Sequence, residues 1–262
     1  MKKLVAGLKS FARRALPRRL QEYLRSHYLT RKVLAGKYVE PEMAILNSLV
    51  RAGQVVVDIG ANVGYYTIRL SELVGSSGRV YSFEPITENF RILERAVKGK
   101  QLENVTTILA AVESKPGEGD MVIPIKDDFT GFYQARLGAE SAAGTKQHVK
   151  VVSLDQLWSD GTLPTVDFIK CDAEGSELRI LQGAIRLLRT KHPSLLLEVQ
   201  SQTGMEVFEL LHGLGYKSFI LNDELEEIAQ FDPKFWNYFF LEQNEAIRIL
   251  NYAESAGPKK RL

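Results

Sequence analysis

The chain lacks the features that mark several whole classes of protein. It has a single cysteine, Cys171, among 262 residues, so no internal disulfide can form. No apolar run reaches the ~20 residues that a helix needs to cross a bilayer. Its only histidines are scattered, at His27, His148, His192 and His212. Without clustered histidine and cysteine ligands, a zinc site is disfavoured. The apolar and charged fractions, 45% and 25%, are those of an ordinary globular domain with a sizeable core.

Charge is distributed unevenly along the chain. Residues 1–39 contain eleven Lys or Arg and one acid, Glu22, which gives +10, so the remainder carries −8 of the net +2. Near the start, apolar residues recur at helical spacing as Leu4, Leu8, Phe11 and Ala15. We expect residues 1–37 to form a basic amphipathic helical segment. Two interpretations stay open: the segment lies on an anionic membrane surface, or its apolar side packs on the domain or on a sister subunit.

The apolar stretch at the start is too short for a signal-peptide core before basic residues interrupt it. We therefore expect a cytoplasmic protein, with peripheral contact at the inner face of the membrane as the alternative. The basic segment has little aromatic interleaving and the body is acidic, so we expect no nucleic-acid partner. The main domain is expected over residues 38–253, followed by a frayed tail at 254–262. The oligomeric state is left open by the sequence.

A β-branched run over residues 55–57 leads into a turn that contains both an acid and glycines. The turn residues are Asp58, Gly60, Ala61, Asn62 and Gly64, and a helical pattern follows them. About twenty residues later a second apolar run ends in Glu84 and Pro85. This layout is typical of a nucleoside-binding crevice at the carboxyl ends of parallel strands. The turn allows close approach of backbone to a ligand, and Glu84 can accept hydrogen bonds from both ribose hydroxyls.

The details of the turn favour one cofactor over another. A dinucleotide fingerprint needs three glycines, but Asn62 takes the middle position and the third glycine is missing. Asp58 would also repel a pyrophosphate. S-adenosylmethionine fits better because it carries an ammonium, a positive sulfur and free ribose hydroxyls. Two alternatives remain: a nicotinamide-dependent oxidoreductase, and a non-catalytic membrane-associated module that keeps a cofactor pocket.

Strand patterns alternate with helix patterns over most of the chain, which predicts an α/β fold with a mostly parallel sheet covered on both faces. Residues 113–149 are predicted to be the least regular part, with extra strand pieces. A connection of this length is usually functional. The candidate substrate wall contains clustered aromatic and acidic residues: Asp127, Asp128, Phe129, Phe132 and Tyr133.

Four motifs in order resemble the FkbM family of S-adenosylmethionine-dependent methyltransferases. They are Asp58-Ile-Gly-Ala-Asn-Val-Gly64, Phe83-Glu84-Pro85, Ile169-Lys-Cys-Asp-Ala-Glu-Gly-Ser-Glu177 and Gly183-Ala184. The resemblance covers about residues 38–242 and departs mildly at Cys171 and Ala173. It implies a Rossmann-like class I methyltransferase fold with a seven-stranded sheet whose last strand is antiparallel. It also implies O-methylation of hydroxyls on sugars or other small-molecule natural products.

Three acids follow strands that end at the expected methyl-transfer edge. Asp172 is the first candidate to orient the methyl end or the acceptor, and Glu174 is the second. Glu198, which ends the next strand, is expected to bind or deprotonate the acceptor. For Glu174 a helix cap is the structural alternative. The three acids are also compatible with Mg²⁺, although nothing in their spacing demands a metal, and we predict none. Cys171 is a poor candidate nucleophile because no histidine lies near it in sequence.

Overall fold

The computed structural model describes residues 17–36, 38–124, 135–137, 144–222 and 224–255. Within these ranges the helices are α1 (Arg18–Leu34), α2 (Pro41–Leu49), α3 (Tyr65–Val74), α4 (Thr87–Gly99), α5 (Leu154–Ser159), α6 (Glu177–Gln182), α7 (Ile185–Lys191), α8 (Gly204–Gly213) and α9 (Gln243–Ser255). The strands are β1 (Val55–Ile59), β2 (Arg79–Phe83), β3 (Val105–Ile108), β4 (Ala111–Val112), β5 (Gly117–Pro124), β6 (Arg136–Leu137), β7 (Gly144–Val152), β8 (Phe168–Cys171), β9 (Ser194–Glu198), β10 (Tyr216–Leu221), β11 (Leu225–Ile228) and β12 (Asn237–Glu242).

The larger sheet has eight strands in the order β11-β10-β12-β9-β8-β1-β2-β3. The five strands from β9 to β3 pair in parallel, whereas β12 lies antiparallel to both of its neighbours. β11 extends the sheet as an antiparallel hairpin partner of β10. The expected mostly parallel Rossmann-like α/β fold is confirmed, including the antiparallel last strand. β11 is one strand more than the seven expected.

The central strands are apolar on both faces because helices cover both faces. In β1, Val57 and Ile59 belong to one core cluster, whereas Val56 belongs to the cluster on the opposite face. In β9, Leu195 and Leu196 alternate between the two clusters in the same way. Each strand therefore needs a nearly continuous apolar run instead of an alternating pattern. This arrangement leaves the carboxyl ends of β1, β2, β8 and β9 side by side at one edge.

The stretch after β3 is more regular than the sequence predicts. It contains a second sheet in the order β4-β7-β5-β6, in which β5 and β7 pair antiparallel over eight residues. One face of this sheet packs Met121, Val149 and Val151 against Ile86. The expected extra strand pieces are therefore two long strands of one sheet. The candidate wall residues Asp127, Asp128, Phe129, Phe132 and Tyr133 lie outside the described residues.

Helix α1 packs along α4. Its Val33 is buried in a cluster with Ile92 and Ala96 of α4, and Leu29 packs against the same cluster. In this part of the basic segment an apolar side therefore packs on the domain, as one of the two interpretations expects. The expected amphipathic residues 4–15 lie outside the described part of the chain. None of the helices that the structure describes is long and apolar enough to cross a membrane.

Candidate active site

A cavity of about 290 Å³ opens across the carboxyl edge of the larger sheet. It brings together residues that the sequence predicts for cofactor binding and for catalysis, namely Gly60, Asn62, Glu84, Pro85, Asp172, Glu174 and Glu198. These residues are separated by up to 138 positions and meet because parallel strands end at the same edge. Asp58, Ala61 and Gly64 are not among the lining residues. Ala61 and Gly64 shape the turn instead.

The turn after β1 depends on the absence of a side chain at Gly60. Gly60 has a φ of +71°, and a Cβ there would lie 1.8 Å from the carbonyl oxygen of Asp172. Its backbone N–H and that of Ala61 both donate to the carbonyl of Phe83, at 3.0 and 2.9 Å. Gly64 has a φ of +99° and leads into α3. The glycines therefore hold the β1 turn against the ends of β2 and β8, and backbone forms part of the cavity wall.

Glu84 is a buried carboxylate held in place by backbone. Its two oxygens accept hydrogen bonds from the N–H groups of Asn62, at 2.9 Å, and Ile86, at 2.8 Å. Burial raises the pKa of Glu84 to about 7, against the lowering effect of these two donors and of a hydrogen bond from the Asn89 side chain. Two carboxylate oxygens offer about four lone-pair sites, so three donors leave capacity for another. Glu84 therefore fits the ribose hydroxyls of an adenosyl cofactor, and the lining residues Ile86 and Ala111 beside it supply apolar surface.

Asp58 is buried at the end of β1 and does not line the cavity. Its side chain is fully buried, and Oδ2 accepts a hydrogen bond from the hydroxyl of Thr67 at 2.6 Å. Oδ1 makes no hydrogen bond among the described residues. The strand register places Lys170 of β8 directly opposite Asp58, and its positive charge lowers the pKa that burial raises. The charge that balances Asp58 therefore comes from Lys170, a residue of the protein itself, and the expected contact of Asp58 with the cofactor stays a prediction.

Lys170 links the buried Asp58 to the cavity. Its Nζ lies 3.3 Å from Oδ2 of Asp172 and 4.8 Å from the centre of the Tyr66 ring. Burial lowers the pKa of Lys170, but the carboxylates of Asp172 and Asp58 outweigh that effect and raise the pKa above its ordinary value. Lys170 therefore stays charged and holds one oxygen of Asp172. This orientation matters because Asp172 lines the cavity.

The three predicted catalytic acids lie around one part of the cavity. Burial, together with the negative charges of Asp172 and Glu174, raises the pKa of Glu198 to about 8. Glu174 has a φ of +52°, and its Oε2 accepts a hydrogen bond of 3.4 Å from the side chain of Gln200. Across the described ranges, no group of three or more acidic, histidine or cysteine residues has the arrangement of a metal site.

The loop that carries Asp172 and Glu174 is supported by Glu177. One oxygen of Glu177 accepts hydrogen bonds from the N–H groups of Ala173 and Gly175, both at 3.0 Å. Glu177 itself is buried, with 1% of its surface exposed. The backbone N–H groups of this loop are therefore bound by Glu177, and not by Glu174 acting as a helix cap. Glu174 lies on the cavity wall instead.

Several lining residues are not predicted by the sequence. Met121 and Leu137 of the second sheet, with Ala135 just before β6, give the cavity an apolar wall. Tyr38 and Glu40, which precede α2, line the cavity as well. Their positions carry no motif, and Pro41 after them indicates only the start of a helix. No local sequence pattern predicts that this segment lies at the edge of the sheet.

The fold and the cavity are typical of Rossmann-like enzymes that bind a nucleoside cofactor between a glycine turn after β1 and an acid after β2. The model of the methyltransferase FkbM domain matches residues 58–218. The chain therefore belongs to the FkbM methyltransferase family. Membership of this family indicates S-adenosylmethionine as the cofactor, as the sequence predicts, and gives no support to the nicotinamide alternative.

Other known proteins are similar over parts of the chain. A protein-L-isoaspartate O-methyltransferase of Methanothrix thermoacetophila is 39% identical over 59 residues, which is 22% of this chain and 28% of that protein. The methyltransferase FkbM of Methylobacillus flagellatus has a crystal structure that aligns with 16% identity and a TM-score of 0.48, over 82% of this chain and 59% of that chain. Fibrillarin of Aeropyrum pernix, solved with natively bound S-adenosylmethionine, aligns with 14% identity and a TM-score of 0.44, over 76% and 73% of the two chains. The chain thus spans less than a third of its curated relative.

Proposed function

We propose that the protein methylates a hydroxyl group on a sugar, a glycan or another small-molecule natural product. The observation that carries this proposal is the position of Glu198, a carboxyl group of raised pKa that shares the cavity with Asp172 and Glu174. A hydroxyl is a weak nucleophile, and it needs a base that removes its proton as it attacks. A carboxylate whose pKa is near 8 is a stronger base than an ordinary glutamate.

Each acid has a separate part in this reaction. When bound, S-adenosylmethionine would supply a methyl group on a positively charged sulfur, which leaves as a neutral thioether. Glu198 would accept the proton of the acceptor hydroxyl as the hydroxyl oxygen attacks. Asp172, held by Lys170 at 3.3 Å, orients the acceptor or the methyl end. Glu84 holds the ribose, so alignment for in-line displacement is set before reaction.

The shape of the cavity favours an acceptor with both polar and apolar surface. Carboxyl groups of Asp172, Glu174 and Glu198 line one part, while Met121 and Leu137 of the second sheet line another. Hydroxyl groups can donate hydrogen bonds to the carboxylates, and the apolar face of a sugar ring or aglycone suits the other wall. A nucleic acid would bring phosphates toward these acids, which disfavours it as the acceptor.

A panel of acceptors tests the proposal. The full chain is incubated with S-adenosylmethionine carrying an isotope-labelled methyl group and with neutral sugars, glycosides and hydroxylated natural products. We expect label in an O–CH₃ group, detected by NMR, and we expect Glu198→Gln to lose it. Glu242→Gln, at the end of β12, is the matched control and should keep full activity. Label found only on nitrogen or carbon, or only on added RNA, would contradict O-methylation of a small molecule.

We further propose that α1 lies on an anionic membrane surface. Leu20, Tyr23, Leu24 and Tyr28 form a stripe along this helix and are each between 41% and 58% exposed. Leu29 and Val33, which pack on the domain, lie on the opposite side of the helix. The charge of +10 over residues 1–39 complements anionic headgroups. Exposed apolar and aromatic residues beside basic ones are typical of interfacial helices.

Vesicle flotation tests this second proposal. We expect the full chain to float with vesicles of phosphatidylglycerol but not of phosphatidylcholine. The double variant Leu24→Glu/Tyr28→Glu should stay at the bottom of the gradient. Met205→Glu, which changes an exposed apolar residue on α8, is the control and should still float. If the double variant floats as the parent does, or if it instead dissociates a dimer in size-exclusion chromatography, the stripe has another partner.

A further inference from the structure

A short segment ahead of the family match completes the wall of the cavity. Tyr38 and Glu40 both line it, although the FkbM domain model begins at residue 58. The ring of Tyr38 stacks on that of Tyr65, with 4.4 Å between ring centres. We call residues 38–40, with Tyr65 and Tyr66 of α3, the tyrosine clasp. The clasp joins the start of the domain to the first turn of the helix that follows the glycine turn.

The carboxylate of Glu40 is held at both oxygens by the clasp. The hydroxyl of Tyr38 donates to Oε1, and the hydroxyl of Tyr66 donates to Oε2 at 2.6 Å. Two hydroxyl donors fix the rotamer of the carboxylate without neutralising its charge. No ion pair within the described ranges includes Glu40. Glu40 is therefore a positioned negative charge on the cavity wall, with lone pairs left to accept further hydrogen bonds.

The clasp lies toward the β1–β8 side of the cavity. The ring of Tyr66 is the one that Lys170 approaches to 4.8 Å, and Lys170 also contacts Asp172. The negative charge of Asp172 is among the causes that raise the pKa of Tyr38, after burial and the contact with Glu40. Glu84, which suits the ribose, follows β2 instead. The residue predicted to bind the ribose and the clasp thus lie at different places along the carboxyl edge of the larger sheet.

The amino acid part of the cofactor carries an ammonium group that needs acceptors. Asp58, which the sequence places in the cofactor turn, does not line the cavity. The positively charged sulfur carries the transferable methyl, which must face the acceptor, and a sulfonium has no N–H to donate. Of the two cationic groups of the cofactor, only the ammonium can therefore donate hydrogen bonds to a carboxylate. We propose that Glu40, positioned by Tyr38 and Tyr66, accepts hydrogen bonds from the ammonium group of the cofactor. This assignment concerns cofactor binding and holds whichever atom of the acceptor is methylated.

Binding of two cofactor fragments separates this role from a general effect on the site. S-adenosylhomocysteine keeps the ammonium but lacks the sulfonium, and 5′-methylthioadenosine lacks the whole amino acid part. Both are titrated calorimetrically into the full chain. We expect Glu40→Gln to weaken binding of S-adenosylhomocysteine by about tenfold to a hundredfold, the effect of one charged hydrogen bond. Its binding of 5′-methylthioadenosine should change by less than about twofold. Glutamine can still contact both tyrosine hydroxyls, so the clasp is retained.

Two variants serve as comparisons. Glu42→Gln changes a carboxyl group two residues away that accepts from Asn237 at 2.8 Å and does not line the cavity, so it should leave both affinities unchanged. Tyr66→Phe should weaken S-adenosylhomocysteine binding by less than Glu40→Gln does, because it removes one support of the carboxylate. Thermal unfolding of each variant reports whether the fold is retained.

The following results would overturn the proposal. One is equal weakening of both fragments in Glu40→Gln, which would place Glu40 beside the nucleoside or in the fold. Another is unchanged binding of both with a higher KM for the acceptor. Lack of S-adenosylhomocysteine binding by the parent chain would also overturn it. A failure to find O-methylated products, with the fragment pattern intact, would affect only the proposed function.

Discussion

At the residue scale, charge compensation explains why an aspartate can be buried at the end of β1. Asp58 is 0% exposed, and burial raises its pKa, while Lys170 and the hydroxyl of Thr67 lower it. Lys170 is 6% exposed and serves Asp172 as well. A buried ion pair of this kind contributes modestly as a whole, but removing one partner leaves an uncompensated charge.

Lys170→Met is therefore expected to destabilise the protein by about 3–5 kcal/mol at neutral pH. The loss should be smaller at acid pH, because protonation of Asp58 removes its charge. Since the pKa of Asp58 is raised in the folded state, the free energy of unfolding of this variant should fall as the pH rises above the pKa that Asp58 has in the unfolded chain. Urea unfolding between pH 5 and 8 measures both effects. Asp58→Asn added to Lys170→Met should restore part of the stability, and a double variant as unstable as the single one would contradict the pairing.

Glu84 is the predicted acceptor for the ribose hydroxyls of the cofactor. Glu84→Ala should weaken binding of S-adenosylhomocysteine by about 1–3 kcal/mol, since ribose hydroxyls lose a charged acceptor. Affinity in the parent should also fall as pH drops through about 7, where the buried carboxylate becomes protonated. Calorimetric titration at several pH values checks both. Glu94→Ala, on the exposed side of α4, is the comparison and should behave as the parent at every pH.

The proposed base predicts a pH–rate profile. Because Glu198 must be deprotonated to accept a proton, kcat/KM for the acceptor should rise with pH and level off above about 8. In Glu198→Gln the rate should fall by about 10²–10⁴-fold and lose this dependence. Initial rates with an identified acceptor, from pH 6 to 9.5, provide the measurement. A variant that keeps the parent profile would remove Glu198 from the role of base.

At the scale of the element, α1 shows how one helix can serve two surfaces. Val33 and Leu29 face α4, whereas the stripe formed by Leu20, Tyr23, Leu24 and Tyr28 is exposed. We expect Val33→Ala to lower the free energy of unfolding by about 1–3 kcal/mol, because the cluster loses buried methyl groups. Leu24→Ala should change it by less than about 0.5 kcal/mol. Denaturant titration of both variants checks this, and equal values would mean that α1 does not pack stably on the domain.

At the scale of the whole molecule, the cavity brings together parts of the chain that are distant in sequence. The cavity draws its lining from the start of the domain, both sheets and the loops after β1, β2, β8 and β9. A ligand that contacts all of these stabilises the folded state by mass action. Saturation with S-adenosylhomocysteine at a hundred times its Kd should add about 2.7 kcal/mol. This should raise Tm by about 5–10 °C in differential scanning calorimetry. NAD at the same concentration should leave Tm unchanged. A rise in Tm with NAD but not with S-adenosylhomocysteine would contradict S-adenosylmethionine as the cofactor.

Local sequence patterns were enough to predict the fold class and several of the residues that line the cavity. Strands buried on both faces require apolar runs, and the turn at Gly60 tolerates no side chain. Both features can therefore be recognised from a few consecutive residues of the sequence. The order of strand ends then brings Glu84, Asp172 and Glu198 to one edge, because parallel strands share a direction. These predictions needed only short-range chemistry and the rules of α/β topology.

Packing decided the features that depend on contacts between distant segments. Which way Asp58 faces follows from its register with Lys170, 112 positions away, and no local pattern contains that information. The same holds for Tyr38 and Glu40, whose position depends on Tyr65 and Tyr66 across the start of α3. A side chain's type tells what it can bind. Whether it meets a ligand, a lysine or a tyrosine is determined by long-range packing, since the free energy of burying a charge depends on everything that surrounds it.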